Sequence, residues 1–139
     1  MAKKRILIVD DDPDMVEALR LPLEARGYVI SQASSGKESL EIIGEVKPDL
    51  IILDVMMESD TAGFQTAYQL RSKDAKSPYA AFSSVPILML TAIGVEKKMT
   101  FSMDTDQAFL PVDAFLEKPV RPEALFARVT QLLQNTEKT

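Results

Sequence analysis

Chemistry in this chain must come from carboxylates, hydroxyls and lysines, because the 139 residues include no cysteine and no histidine. Thiolate nucleophiles, thiolate metal sites and disulfides are thereby excluded, and the commonest general base is missing. Five residues stand out by type and position. Asp10 and Asp11 end the apolar run Ile6-Leu7-Ile8-Val9, and Asp54 ends Leu50-Ile51-Ile52-Leu53. Thr91 ends Pro86-Ile87-Leu88-Met89-Leu90, and Lys118 follows Phe115-Leu116-Glu117. Acids at the mouth of a buried segment are costly: two unit charges about 4 Å apart repel by about 4 kcal/mol at an effective dielectric of about 20. Such a cluster calls for a hard divalent cation, Mg2+ (or Mn2+), held by one or two carboxylates together with waters and phosphate oxygens. A carboxylate can also attack phosphorus and become an aspartyl phosphate. A metal, a hydroxyl and an ammonium can each take one equatorial oxygen of a transferring phosphoryl group. The set therefore describes a phosphoryl-transfer site, with Asp54 as acceptor and the Asp10–Asp11 pair left for the metal.

Each residue has a simpler competitor. Asp12 before Pro13 suits a helix N-cap, and Asp14 suits the positive end of the helix dipole. That explanation stops there, since one helix end uses one cap and leaves Asp10 and Asp11 unaccounted for. Asp54 alone could open a turn, Thr91 is an ordinary strand-end residue, and Lys118 alone would be a solvated lysine. The coincidence of all of them at the ends of apolar segments is what argues for a site.

The elements that must carry these residues can be read from periodicity. Strands are expected over Arg5–Val9, Tyr28–Ala33, Leu50–Leu53, Pro86–Leu90 and Val112–Leu116. Helices are expected over Pro13–Arg26, closed by Gly27; from Ser34-Ser35-Gly36 through Leu40, Ile43 and Val46; over Gly63–Lys73; and over Arg121–Asn135. Pro22 interrupts the first helix, where it removes the bond to Ala18 and should kink the last turn. The stretch 92–111 is weakly patterned, with Met99 and Met103 its one helical pair, and 74–84 reads as polar loop. Alternating strands and helices imply βαβ units and a parallel sheet, and unbroken apolar strands agree because such a sheet is covered on both faces. The expectation is one doubly wound α/β domain over 1–139, with a core over about 4–133 and a polar tail at 136–139. Ligands of such sheets bind beyond the carboxyl ends of the strands, which is where Asp10, Asp11, Asp54, Thr91 and Lys118 fall.

Composition narrows the function classes. A net charge of −5 argues against a nucleic-acid face, which needs a basic footprint. No apolar run approaches the roughly 20 residues of a membrane span, and the run after the basic N-terminus is too short for a signal peptide. The expected setting is cytoplasmic, without direct nucleic-acid or membrane contact.

In combination and order, the motifs Ile-Leu-Ile-Val-Asp10-Asp11-Asp12-Pro, Pro-Asp-Leu-Ile-Ile-Leu-Asp54-Val-Met-Met, Pro-Ile-Leu-Met-Leu-Thr91-Ala and Phe115-Leu-Glu-Lys118-Pro are highly specific. The chain resembles the receiver domain of two-component response regulators over about Lys4 to Leu133. The resemblance implies a flavodoxin-like five-stranded parallel sheet of order 2-1-3-4-5 with about five helices. It implies that Asp54 accepts a phosphoryl group from a phosphohistidine on a sensor histidine kinase or histidine phosphotransfer protein. Asp11, Asp54 and the backbone carbonyl of Met56 would bind Mg2+ directly, with Asp10 acting through a metal-bound water. Thr91 would hydrogen-bond the phosphoryl group, Lys118 would form a salt bridge to it, and Phe115 would be the switch aromatic. The Lys118–Pro119 bond is usually cis in the family. A downstream protein target would be met on the face formed by the fourth and fifth helices, here 92–111 and the closing helix. The protein would be a signalling switch that catalyses its own phosphorylation and dephosphorylation, not a turnover enzyme. With no histidine, the chain cannot be its own donor.

Departures from the family pattern are also visible. Glu58 stands where a proline is usual four residues after the acceptor, and Gly63 comes one residue later than the common spacing. The segments 71–85 and 92–113 are longer than usual, and Leu110-Pro111 replaces the usual Gly-Ala pair. Three rival readings compete for these residues. A haloacid-dehalogenase-like phosphatase needs an acid/base Asp two residues after its nucleophile, where this chain has Met56. A flavin or nucleotide binder needs a phosphate loop after the first strand, where Asp10 to Asp12 would repel phosphate. A divergent receiver would bind partners without being phosphorylated.

Overall fold

In a computed structural model of the chain, residues 3–55, 62–71, 76–91 and 112–137 are described. They form β1 (Arg5–Val9), α1 (Pro13–Ala25), β2 (Val29–Ala33), α2 (Gly36–Val46), β3 (Leu50–Asp54) and α3 (Ala62–Leu70). A short 3₁₀ helix (Ala80–Phe82), β4 (Ile87–Thr91), β5 (Ala114–Glu117) and α4 (Pro122–Glu137) complete them. All strand pairs are parallel, in the order β2-β1-β3-β4-β5. The order reverses beside β1, and this places the carboxyl ends of β1 and β3 next to each other at the switch point.

Alternation along the strands builds a core on each face of the sheet. Ile6, Ile8, Leu50, Ile52, Leu88 and Leu90 meet Val16, Leu19 and Leu23 of α1 and Leu125, Val129 and Leu132 of α4. Leu7, Val9, Ile51, Leu53, Ile87 and Met89 meet Ile43 of α2 and Ala67 and Leu70 of α3. Burial on both faces is what the unbroken apolar runs anticipate. A fully buried leucine or isoleucine is worth about 1.5–3 kcal/mol, so β1, β3 and β4 have little freedom to slip.

Helix ends explain where the chain enters and leaves the sheet. Asp12 is the N-cap of α1, accepting the Asp14 N–H at 3.0 Å, with Pro13 as its first residue. Gly27, at φ +93°, follows the C-cap Arg26 and donates to the Glu24 carbonyl at 3.0 Å. Ser35 caps α2 by accepting the Glu38 N–H at 3.0 Å, while Glu38 reaches back to the Ser34 N–H at 2.8 Å. Pro22 lies inside α1, which nevertheless continues to Ala25.

Several boundaries differ from expectation. Tyr28 is not in β2, because its N–H closes the α1 terminus on the Leu23 carbonyl at 3.2 Å. Pro86 precedes β4, having no N–H to give, though its carbonyl accepts from Ile51 at 3.0 Å. β5 begins at Ala114 instead of Val112, because Asp113 pins the start of β4: its carboxylate accepts the Ile87 N–H at 2.7 Å and also holds Arg71. The polar stretch before β4 contains the 3₁₀ helix, fastened by Arg71 donating to the carbonyls of Ser83 and Val85 at 2.8 and 2.6 Å. α3 ends at Leu70, short of Lys73, and α4 runs on to Glu137, into the expected tail. Four α-helices occur among the described residues where about five were expected; the remaining one falls on 92–111, outside them. None of the helices among the described residues is long and apolar enough to cross a membrane.

Candidate functional site

The strand ends bring four of the predicted side chains to one place. Asp10 is anchored by its N–H to the Ala33 carbonyl at 3.1 Å, one residue past the end of β1. Its side chain turns inward and is only 2% exposed, while Asp11 turns out to solvent. Asp54, the last residue of β3, is also buried. Carboxylate oxygens of Asp10, Asp11 and Asp54 lie within 4.8 Å of one another. Lys118 arrives from the end of β5, held by its N–H donating to the Thr91 carbonyl at 2.8 Å. Its Nζ donates to Asp54 Oδ1 at 3.2 Å and stands 3.8 Å from Asp10 Oδ2. The Lys118–Pro119 peptide is cis, in agreement with the family pattern.

Electrostatics single out Asp10. Loss of hydration pushes its carboxyl up from 3.8 to about 6, and repulsion from Asp54 and Asp11 adds to the rise. The Asp12 N–H, which donates to Asp10 Oδ1 at 2.9 Å, and the Lys118 ammonium oppose it. Among the described residues, buried Asp10 Oδ2 has no hydrogen-bond partner, nor has the hydroxyl of Thr91 at the end of β4. Buried polar atoms are nearly always paired, so two orphans on one rim suit a site built to receive something. Among the described residues, three carboxylates gather beside the Lys118 ammonium, an all-oxygen, negatively charged donor set of the kind that holds Mg2+. The residues present fit such an ion.

The remaining predicted residues are placed less fully. Thr91 pairs in register with Glu117, and Asp54 with Leu90, so the hydroxyl lies on the strand adjacent to that of Asp54. Phe115 pairs with Met89 and is half-buried against the core on the α2–α3 face. Met56 and Glu58, with the expected metal-binding carbonyl and the unusual carboxylate, lie outside the described residues, as does 92–111. The sequence marks Gly63 only by its spacing, yet its backbone packs directly on that of Asp54 and Val55. No local signal reveals that approach.

A doubly wound sheet whose carboxyl rim gathers two buried aspartates, a third exposed one, a threonine and a lysine defines a receiver domain of the two-component type. A family model described as the response regulator receiver domain matches residues 6–130, and the chain belongs to that family. The DNA-binding dual master transcriptional regulator RpaA of Synechocystis is 34% identical over 134 residues, spanning 96% of this chain and 51% of that protein. The response regulator MprA of Mycolicibacterium vanbaalenii is 36% identical over 132 residues, spanning 95% and 51%. The chain thus spans about half the length of the curated relatives it matches. Among solved structures, the chemotaxis response regulator CheY4 of Vibrio cholerae superposes with a TM-score of 0.76 at 26% identity, covering 94% of this chain and 99% of that one. A CheY-like receiver domain protein from Methanospirillum hungatei gives 0.76 at 26%, covering 99% and 98%.

Proposed function

We propose that Asp54 is the phosphoryl acceptor of a two-component or phosphorelay switch, charged from a phosphohistidine on a separate histidine kinase or phosphotransfer protein. The observation that carries the reading is the cluster itself: Asp54 buried at a strand end, within reach of two further carboxylates and 3.2 Å from Lys118 Nζ. In the step, an Asp54 carboxylate oxygen bonds to phosphorus while the P–N bond to the donor imidazole breaks. The electron pair of that bond returns to nitrogen, which is left as neutral imidazole once its proton count is restored from solvent. Asp10 and Asp11, with Asp54, would hold Mg2+, which supplies charge neutralisation at the phosphoryl oxygens. Lys118 neutralises a further oxygen, and Thr91 offers as a donor a hydroxyl that has no partner among the described residues. No step requires turnover of a released substrate, which makes the domain a switch and not an enzyme in the ordinary sense.

Phe115, half-buried beside β4, is the proposed switch aromatic. The output is a protein contact, and the 139 residues themselves are proposed to bind neither nucleic acid nor membrane and to work in the cytoplasm. The Synechocystis relative is a DNA-binding regulator of which this chain spans about half, so the nucleic-acid part of the proposal concerns these residues alone. Intact mass spectrometry after incubation with acetyl phosphate tests the reading. One phosphoryl group should be gained, only with Mg2+ present, and none in Asp54→Asn. Labelling that survives this substitution would move the acceptor elsewhere.

A further inference from the structure

Gly63, in the first turn of α3, is held against the acceptor's own backbone. Its N–H donates to the Val55 carbonyl at 3.0 Å. A Cβ at this position would overlap the Asp54 carbonyl oxygen and stand 2.6 Å from Val55 Cα and 3.0 Å from the Asp54 carbonyl carbon. Each of these neighbours is main chain, so none can swing aside as a flexible side chain would. The opposite side of the strand end is fixed as well: the Val55 N–H donates to the Leu90 carbonyl at 3.1 Å, with Asp54 in register with Leu90. Asp54 is therefore clamped between β4 and the start of α3. Gly27 and Gly44 have open space where a Cβ would go. The extra residue in the Asp54–Gly63 spacing has not displaced this glycine from the acceptor.

We infer that Gly63 is a positioning residue for Asp54: its missing side chain lets α3 seat on the end of β3 and so sets the acceptor carboxylate against Asp10, Asp11 and Lys118. The inference rests on the function proposed above. Any side chain here must push the Asp54 backbone or lift the helix, and a group misplaced by about 1 Å can lose about a hundredfold in rate.

The test uses the full chain carrying Gly63→Ala, with Gly44→Ala as a neutral glycine control. Val129→Ala, fully buried on the opposite face of the sheet, serves as a control for destabilisation alone. Mg2+ affinity by calorimetry and the acetyl phosphate labelling rate are read at a temperature where circular dichroism shows each variant folded. Gly63→Ala should weaken Mg2+ binding and slow labelling by about tenfold or more, while both controls match the wild type. Equal competence of Gly63→Ala overturns the inference, and so does an equal loss in Val129→Ala. Should Gly63→Ala not fold, amide exchange in the wild type decides. The Gly63 N–H should gain protection on Mg2+ saturation, and an exchange rate indifferent to Mg2+ sinks the coupling. A wild type that takes neither Mg2+ nor phosphoryl would refute the proposed function itself; a competent wild type with an equally competent variant refutes only the role of Gly63.

Discussion

Replacing Asp10 by Asn should stabilise the metal-free protein, by an amount that depends on pH in a defined way. The Asp10 carboxyl is raised from 3.8 to about 6, first by burial and then by its acidic neighbours. Between those values the folded chain keeps a proton that the unfolded chain has released. Stability therefore falls as pH rises through that window and stays low above it. The full difference is about 3 kcal/mol, reached near neutral pH. Below about pH 4 both states are protonated and the penalty disappears. Asparagine preserves an oxygen for the Asp12 N–H, which donates to Asp10 Oδ1 at 2.9 Å, and carries no charge to desolvate. Attraction to Lys118 is already contained in the raised value, so its loss needs no separate allowance.

Urea unfolding in metal-free buffer across pH 4 to 8 is the assay. The variant and the wild type should be nearly equal at the acid end and separate by about 2–3 kcal/mol, in the variant's favour, by neutrality. The corresponding difference in Tm is about 10 °C for a domain of this size. Most of the separation should develop between the two carboxyl values, from 3.8 to about 6. Saturating Mg2+ should then narrow the gap, since a ligand at a hundred times its Kd adds about 2.7 kcal/mol to the form that binds it. A gap that is flat with pH, or an Asn variant less stable than wild type at neutral pH without metal, would refute the account of Asp10.

Thr91→Val removes a buried hydroxyl that has no partner among the described residues; it should raise metal-free stability by about 1 kcal/mol while lowering the phosphoryl yield, and a fall in Tm would show that the hydroxyl is paired. Asp12→Ala should cost about 1 kcal/mol through loss of the α1 cap and leave Mg2+ affinity unchanged, since only the Asp12 backbone N–H serves Asp10; calorimetry showing a large loss of affinity would place Asp12 in the metal site. Lys118→Met removes the ammonium near Asp54 and Asp10, so Mg2+ should bind more tightly, by about tenfold or less, while labelling by acetyl phosphate falls. Affinity and labelling that fall together would mean that Lys118 holds the strand ends in place more than it balances charge.

Legibility in the sequence followed the physics of burial. β1, β3 and β4 are covered on both faces, so their apolar runs are unbroken and end abruptly, and Asp10, Asp54 and Thr91 are marked by those ends. Where tertiary contacts set an element's limits, local pattern failed. β5 starts late because Asp113 is committed to the Ile87 N–H and to Arg71, both distant in sequence. The 3₁₀ helix at Ala80–Phe82 is fastened by the same Arg71, and nothing in the polar stretch itself announces it. Likewise, the sequence shows that Gly63 is a glycine but not which backbone it must approach. Within the site, adjacent Asp10 and Asp11 look equivalent as letters. Which of them is buried depends on the pairing of β1 with β2 and β3, and that register is a property of the whole sheet.

That division between neighbours accounts for the acidic run at the end of β1. Beyond the strand, Asp10 turns under the rim, Asp11 turns to solvent, and Asp12 leaves the rim altogether to cap α1. Identical side chains thus meet different surroundings, and burial pushes the Asp10 carboxyl up to about 6. The backbone bond from Asp12 ties these roles together, because the residue that caps the helix also donates its N–H to Asp10. Formation of α1 therefore fixes the direction of the Asp10 carboxylate, leaving one oxygen satisfied and the other open toward Lys118. Among the described residues, Lys118 links Asp54 and Asp10 across the β1–β3 switch point, at 3.2 and 3.8 Å. An ion entering the carboxylate cluster would relieve the repulsion there and loosen the hold of Asp54 on Lys118. Lys118 would then be available to a new anionic oxygen. On the proposed reading, metal binding prepares the phosphoryl site by freeing its cation as well as by neutralising its acids.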